Sequence, residues 1–168
     1  MKIRKYLHFI ISILAVAVLI VIDHIIKILV SNFLPFQEPI TIIPGVLNLT
    51  YITNDGAAFG MFAGNIILLI ILPVIVLGIG IFLLFKRNII NTTYLTVCTV
   101  MILSGGFGNL IDRVFKGSVV DYIDVAFYPF ENFAIFNFAD CLLVIGTTLL
   151  LIYYVIYEPI KNRVTSDQ

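Results

Sequence analysis

The chain has 168 residues, of which 61% are apolar and only 12% charged, a composition that excludes an ordinary soluble domain. Ten Lys and Arg balance ten Asp and Glu, so there is no excess positive charge to attract a nucleic-acid partner. The length allows one compact membrane domain, residues 1–168, and leaves no room for a separate soluble one.

Four apolar segments are long enough to cross a hydrocarbon core, which takes roughly 20 helical residues. They run from about Leu7 to Val30, from about Asn65 to Phe85, from about Thr93 to Ile111 and from about Phe138 to Tyr157. They predict an all-α polytopic membrane protein with four transmembrane helices. The first segment follows basic residues as a secretory signal does, but it has no small-residue cleavage site, and a cleaved signal is disfavoured.

Two connecting loops face the same side of the membrane. The first, residues 35–62, is rich in β-branched residues around a Pro44-Gly45 turn and predicts a small β hairpin lying on the membrane surface. Two interpretations of this hairpin are open: a purely structural element, or a platform that holds an extended peptide by strand hydrogen bonds. The second loop, residues 112–137, is predicted to be irregular or to form a short interfacial helix that covers part of the site.

The basic residues predict the orientation. Seven lie on one side of the four segments and two on the other, with Lys27 inside the first segment left uncounted. The seven are Lys2, Arg4, Lys5, Lys86, Arg87, Lys161 and Arg163, and the two are Arg113 and Lys116. This bias predicts that both termini are cytoplasmic and that the two loops are extracytoplasmic.

Two carboxylates near the outer face are candidates for catalysis. Asp140 lies at the start of the fourth segment, and Asp121 lies in the second loop. A carboxylate at the edge of a lipid-spanning segment is costly and therefore a candidate functional group. Two such groups in a poorly solvated site cannot easily both ionise, so they share one proton. A pair of this kind can take up one proton and give another, which predicts acid–base chemistry on a substrate that is itself in the membrane.

Polar residues near this pair allow more than one interpretation. Asn109 and Arg113 share a helix face. They either orient a peptide carbonyl or lipid head group, or form an interhelical bond beside a snorkelling arginine. Asp23 and Lys27 also share a face, and their spacing favours an internal ion pair with a structural role. Asn137 is placed to cap the fourth helix and so to fix the position of Asp140.

No metal site or cofactor is predicted. His8 and His24 have no Cys or His partner at ligand spacing. There is no phosphate-binding glycine loop and no Gly-x-Ser-x-Gly nucleophile elbow. Cys98 and Cys141 lie in spanning segments and are interpreted as small buried apolar residues rather than as a disulfide.

Five short motifs, in order along the chain, resemble the motif set of the lipoprotein signal peptidases (signal peptidase II). They are Asp23-x-x-x-Lys27, Asn54-x-Gly56-Ala57-Ala58-Phe59, Gly105-x-x-Gly108-Asn109-x-x-Asp112-Arg113, Val120-Asp121-Tyr122 and Phe136-Asn137-x-Ala139-Asp140. The match covers essentially the whole chain, and five motifs in register are far more specific than any one alone. The resemblance implies a bacterial inner-membrane aspartic endopeptidase, surrounded by membrane lipids. It would cut prolipoprotein signal peptides just before the diacylglyceryl-modified cysteine, and we expect it to be a monomer.

The resemblance also implies roles for individual residues. Asp121 and Asp140 match the catalytic pair. The residues that match the polar lining of the site, which holds the substrate, are Asn54, Asn109, Arg113 and Asn137. Asp23, Lys27 and Gly56 match supporting positions.

The chain departs from the family pattern at two positions. Ile26 stands where Ser or Thr is usual and Gly106 where Ala is common, and both departures concern helix packing. Two other functions stay open. A small carrier or proton relay is disfavoured because the two halves of the chain are not similar to each other. The other is a non-catalytic protein that binds lipidated peptides.

Overall fold

The computed structural model describes residues 2–56, 61–86, 92–129 and 133–159, with side chains from residue 6 onward. Several residues used in the sequence analysis lie outside this part of the chain. They are Ala57, Ala58 and Phe59 of the second motif and the basic residues Arg87, Lys161 and Arg163.

Four helices form the membrane part of the fold, as the sequence predicted. They are α1 (Lys2–Phe33), α2 (Ile66–Phe85), α3 (Thr93–Lys116) and α4 (Phe138–Ile152), and a π-helical segment, Tyr153–Tyr157, continues α4. Each is long and apolar enough to cross a membrane, counting the π-helical segment with α4. Helix α3 continues past its predicted end at Ile111 to Lys116, where Gly117 ends it with a positive φ of 76°.

Helix α3 is the centre of the bundle. The other three helices all pack against it, whereas they make few contacts with one another. Most of its side chains are therefore buried, while those of α1, α2 and α4 mostly face outward. Two polar residues near its end, Asn109 and Asp112, are consequently buried, whereas Val114, Phe115 and Lys116 in the last turn are exposed.

Two glycines let α3 and α4 approach closely. A Cβ atom at Gly105 would collide with the backbone carbonyl oxygen of Ala139 on α4. A Cβ atom at Gly108 would lie 2.7 Å from Asp23 Oδ2 and 3.2 Å from the Cβ of Ala139. Small residues at a helix interface permit such contacts in membranes. These glycines therefore set the position of the first turn of α4, which carries Asp140.

The two departures from the family pattern are accommodated by packing. A Cβ atom at Gly106 would meet only the side chain of Leu77, at 2.7 Å from its Cδ2 atom. Ile26 packs against a small cluster formed by Val30, Val120 and Tyr122. Both positions lie in apolar contacts, so neither changes the polar residues of the site.

A three-stranded antiparallel sheet, in the order β1-β2-β3, lies beside the helix ends. Its strands are β1 (Pro39–Ile43), β2 (Leu47–Asn54) and β3 (Val119–Val125). The predicted hairpin is confirmed as β1 and β2. The second loop was expected to be irregular or helical, and for residues 119–125 that expectation is wrong. This segment is rich in β-branched residues, and it pairs with β2.

We expect Gly105→Ala to destabilise the protein and to displace Asp140, because the opposing atom is backbone and cannot rotate away. Overpacking of this kind costs about 1–3 kcal/mol. Thermal unfolding in detergent measures the effect. Gly78→Ala is the matched control, since a Cβ atom there meets nothing within 4 Å. Equal melting temperatures for the two variants would show that the α3–α4 contact does not depend on Gly105.

Candidate active site

The two predicted catalytic residues lie at the same end of the molecule. Asp121 is on β3 and is 2% exposed, and Asp140 is in the first turn of α4. The last residue of β2, Asn54, pairs with Val119 on β3 and lies diagonally across from Asp121. Two strands, α3 and α4 thus bring together residues from four of the five sequence motifs.

Both carboxylate oxygens of Asp140 accept hydrogen bonds from fixed donors. Asn137 and Asp140 form a capping box, in which Asn137 Oδ1 accepts the Asp140 N–H at 3.0 Å and Asp140 Oδ2 accepts the Asn137 N–H at 3.0 Å. Asn109 Nδ2 donates to Asp140 Oδ1 at 2.7 Å. The predicted cap at Asn137 is confirmed, and it holds Asp140 in one orientation.

Asp121 also accepts one amide hydrogen bond on each oxygen. Asn137 Nδ2 donates to Asp121 Oδ1 at 2.6 Å, and Asn54 Nδ2 donates to Asp121 Oδ2 at 2.9 Å. Asn54 is itself held, because its Oδ1 accepts the Gly56 N–H at 2.9 Å. Asn137 therefore contacts both carboxylates, one through its cap and the other through its amide.

Burial makes Asp121 hard to ionise. Loss of water around the carboxyl raises its pKa to about 6, and the nearby Asp140 charge contributes to the rise. The amide donors of Asn54 and Asn137 oppose this rise, because they stabilise the charged form. The result is a carboxyl that changes protonation state close to neutral pH.

Arg113 connects helix α3 to the loop that follows β2. Its Nη2 donates to the Gly56 carbonyl oxygen at 2.7 Å, which explains why Gly56 and Arg113 appear together among the motifs. Its Nε is buried and has no hydrogen-bond partner among the described residues. Arg113 therefore has donors left over near the two carboxylates, since a guanidinium carries five N–H groups.

Asp23 and Lys27 form the predicted ion pair, but as part of a larger cluster. Lys27 Nζ lies 2.7 Å from Asp23 Oδ2 and 2.8 Å from Asp112 Oδ2, and all three side chains are fully buried. Lys27 Nζ also donates to Asn109 Oδ1 at 3.0 Å. Asp112 has a second cation, Lys116, at 2.9 Å. Two carboxylates and two ammonium groups give this cluster no net charge.

Sequence reasoning missed two residues that support the site. Asp112, quoted only as a motif position, neutralises Lys27. Tyr122 accepts the Phe138 N–H at its hydroxyl oxygen, at 3.2 Å, and thereby joins β3 to the start of α4. The signal for Asp112 was its placement one turn before the end of an apolar helix, where a carboxylate needs a partner. Nothing in the sequence indicated the Tyr122 contact.

The described residues contain no group of three His, Cys, Asp or Glu side chains that could hold a metal ion. Cys98 and Cys141 are both free, and Cys98 is completely buried.

Comparison with known proteins gives consistent matches. The family model described as signal peptidase (SPase) II matches residues 15–156. The chain is 40% identical to a lipoprotein signal peptidase of Clostridioides difficile over 151 residues, which covers 90% of this chain and 98% of that protein. It is 38% identical to one of Halothermothrix orenii over 140 residues, covering 83% of this chain and 92% of that protein.

Two solved structures, each described as a bacterial membrane enzyme obtained by the in meso method, share this fold. One, at 2.3 Å resolution, has a TM-score of 0.78 and 32% identity and covers 86% of this chain and 87% of its own. The other, at 1.9 Å, has a TM-score of 0.75 and 32% identity and covers 86% and 92%. Because the family model spans most of the chain and the relatives align along nearly their whole length, the chain belongs to the signal peptidase II family.

Proposed function

We propose that this membrane peptidase removes signal peptides from prolipoproteins by an aspartic mechanism, with Asp121 and Asp140 as the catalytic pair. The observation that carries the proposal is the convergence of two carboxylates from distant parts of the chain. Asn137 binds both of them, and amide donors hold all four carboxylate oxygens. Structural ion pairs place cations against buried carboxylates, whereas this pair is held by neutral amides and a backbone N–H.

The environments of the two groups favour different roles. Asp140 lies in the first turn of α4, where the helix dipole and the Asn137 N–H stabilise a negative charge. Asp121 lies on a strand, away from any helix terminus, and its side chain is more deeply buried than that of Asp140. The single shared proton therefore belongs on Asp121, and Asp140 is the base.

The reaction then follows the chemistry of a carboxylate pair. Asp140 takes a proton from a water molecule, whose oxygen attacks the scissile carbonyl carbon, while Asp121 gives its proton to the carbonyl oxygen. In the tetrahedral intermediate, Asp140 returns its proton to the leaving nitrogen and Asp121 recovers one from a hydroxyl group as the C–N bond breaks. The pair ends the cycle in its starting state.

The proposed substrate is a precursor carrying a diacylglyceryl-modified cysteine, cut just before that residue. Such a precursor is already in the bilayer, so transfer of its acyl chains from lipid to protein contributes little net binding. Recognition then depends on polar groups at the interface. Arg113 is the proposed donor to a substrate carbonyl, because its Nε has no hydrogen-bond partner among the described residues. Asn54, Asn109 and Asn137 act mainly by holding the carboxylates.

We propose the orientation that the basic residues predict, with both termini cytoplasmic and the site toward the extracytoplasmic face of the bacterial inner membrane. Of the basic residues behind that prediction, Lys2, Arg4 and Lys5 at the start of α1 and Lys86 after α2 are in the described part of the chain, at the helix ends opposite Asp121 and Asp140.

Asp121→Asn and Asp140→Asn should each lower kcat by at least about 100-fold, the usual contribution of general acid–base catalysis. The double variant should lose little more, because the two groups act as a unit. Cleavage of a lipidated precursor in detergent measures this. Asp124→Asn is the matched control, since Asp124 is also on β3 but bonds Thr50 and Asn48 instead. Near-normal turnover in either single variant would contradict the mechanism. Loss of wild-type activity on chelation, restored by added zinc, would contradict it as well.

The raised pKa of Asp121 predicts a pH dependence of stability. A carboxyl with a pKa near 3.8 unfolded and about 6 folded binds its proton more tightly in the folded state. Its contribution to stability therefore falls as pH rises from about 4 to about 6, by about 3 kcal/mol. The melting temperature of wild type relative to Asp121→Asn should fall over that range. A difference independent of pH would refute the assigned pKa.

Arg113→Ala should reduce cleavage of the lipidated precursor by about 10-fold or more, because a hydrogen bond from a charged donor is lost. Lys116→Ala, near the same helix end, should have little effect.

The same assay compares lipidated and unlipidated precursors, and we expect the unlipidated one to be cut poorly. Equal cleavage rates for the two precursors would mean that the site recognises only the peptide and not its lipid.

A further inference from the structure

We propose that Lys27 is a positioning residue that acts on Asp140 through Asn109, in addition to its role in the ion cluster. The inference rests on the proposed function of Asp121 and Asp140. It concerns which end of the Asn109 amide faces the catalytic base. An amide group can present either its NH₂ or its oxygen, and only the NH₂ stabilises a carboxylate.

The amides of the site differ in what fixes their orientation. Asn54 Oδ1 accepts the backbone N–H of Gly56, and Asn137 Oδ1 accepts the backbone N–H of Asp140. Backbone donors cannot turn, so these two amides are held by the fold itself. Asn109 Oδ1 instead accepts from two side chains, Lys27 Nζ at 3.0 Å and Asn137 Nδ2 at 3.1 Å.

Of the two donors to Asn109, Lys27 is the stronger. A charge-assisted hydrogen bond is roughly twice as strong as a neutral one, and Asn137 Nδ2 also makes a shorter bond to Asp121. Lys27 is itself held in place, because its ammonium group forms ion pairs with Asp23 and Asp112 and its side chain is 1% exposed. With its oxygen held by an ammonium group, Asn109 must direct Nδ2 at Asp140 Oδ1, at 2.7 Å.

This contact matters for the chemistry because a base must stay ionised. If the Asn109 amide turned, its oxygen would face Asp140, where it would accept a hydrogen bond from the protonated carboxyl and oppose the charged one. Several titratable groups surround this path from every packed element. They are Asp23 and His24 on α1, Asp112, Arg113 and Lys116 on α3, Asp121 and Tyr122 on β3, and Asp140 and Cys141 on α4. Lys27 touches Asp23, Asp112 and Asn109 but neither member of the catalytic pair.

The test must remove Lys27 without leaving a buried charge unpaired. Asp23→Asn/Lys27→Met removes one charge of each sign and keeps the Asp112–Lys116 pair. Asp23→Asn alone is the matched control. In the wild type, Asp23 Oδ1 accepts the Ala139 N–H at 3.1 Å, and the amide oxygen of the introduced asparagine can accept the same bond. Relative to this control, the double variant should lose about 10-fold or more in kcat with little change in KM. The acidic limb of its pH–activity profile should move up by about one pH unit.

Further variants separate this contact from general charge or folding effects. Lys116→Met removes the other cation on Asp112 without touching Asn109, so its pH profile should move less than that of the double variant. An equal shift in Lys116→Met, or no shift in the double variant, would overturn the proposal. If the double variant does not fold, Asn109→Asp is the substitute. It replaces the Nδ2 donor that faces Asp140 with an oxygen and leaves Lys27 in place. An unchanged pH–activity profile for Asn109→Asp would also overturn the proposal. Failure of the proposed function looks different, because Asp140→Asn would then still cleave.

Discussion

The burial of Lys27 between two carboxylates is the interaction on which the rest of the structure depends. An ammonium group removed from water costs several kcal/mol unless it is paired, and removal of one partner from a buried pair typically costs about 3–5 kcal/mol. Lys27 on α1 binds Asp112 on α3, and its partner Asp23 binds the Ala139 N–H at the start of α4. These contacts fix α1, α3 and α4 to one another at the same level along the bundle, beside the glycines that let α3 and α4 approach closely.

The proposed catalytic pair is held in place through this cluster. Asn109 is the link, because one end of its amide binds Lys27 and the other binds Asp140. From Asn109 the network continues through Asn137 to Asp121 and Asn54. Each carboxylate oxygen therefore has a donor before substrate arrives, which is the preorganisation that electrostatic catalysis requires. Burial of Asp121 lowers stability near neutral pH, a cost tolerated at a functional site.

The sequence predicted the helices and named polar residues that the structure brings together, but it did not predict how these residues are connected. The helical spans could be predicted because a long apolar run in a bilayer has few possible structures other than a helix. The hairpin could be predicted from its Pro44-Gly45 turn. Strand β3 was not predicted, since its pairing with β2 depends on a partner many residues away. The roles of Asp112 and Tyr122 depend on contacts between elements that no local pattern encodes.

Infrared difference spectroscopy tests most directly whether Asp121 and Asp140 share one proton, on which the proposed mechanism depends. A protonated carboxyl gives a carbonyl stretching band that an ionised one lacks. For the protein in detergent we predict a band that disappears with a midpoint near pH 6, is absent in Asp121→Asn and is retained in Asp124→Asn. A band that persists in Asp121→Asn would contradict the shared proton. So would a wild-type protein in which both carboxylates are already ionised at about pH 5, which is below the raised pKa of Asp121.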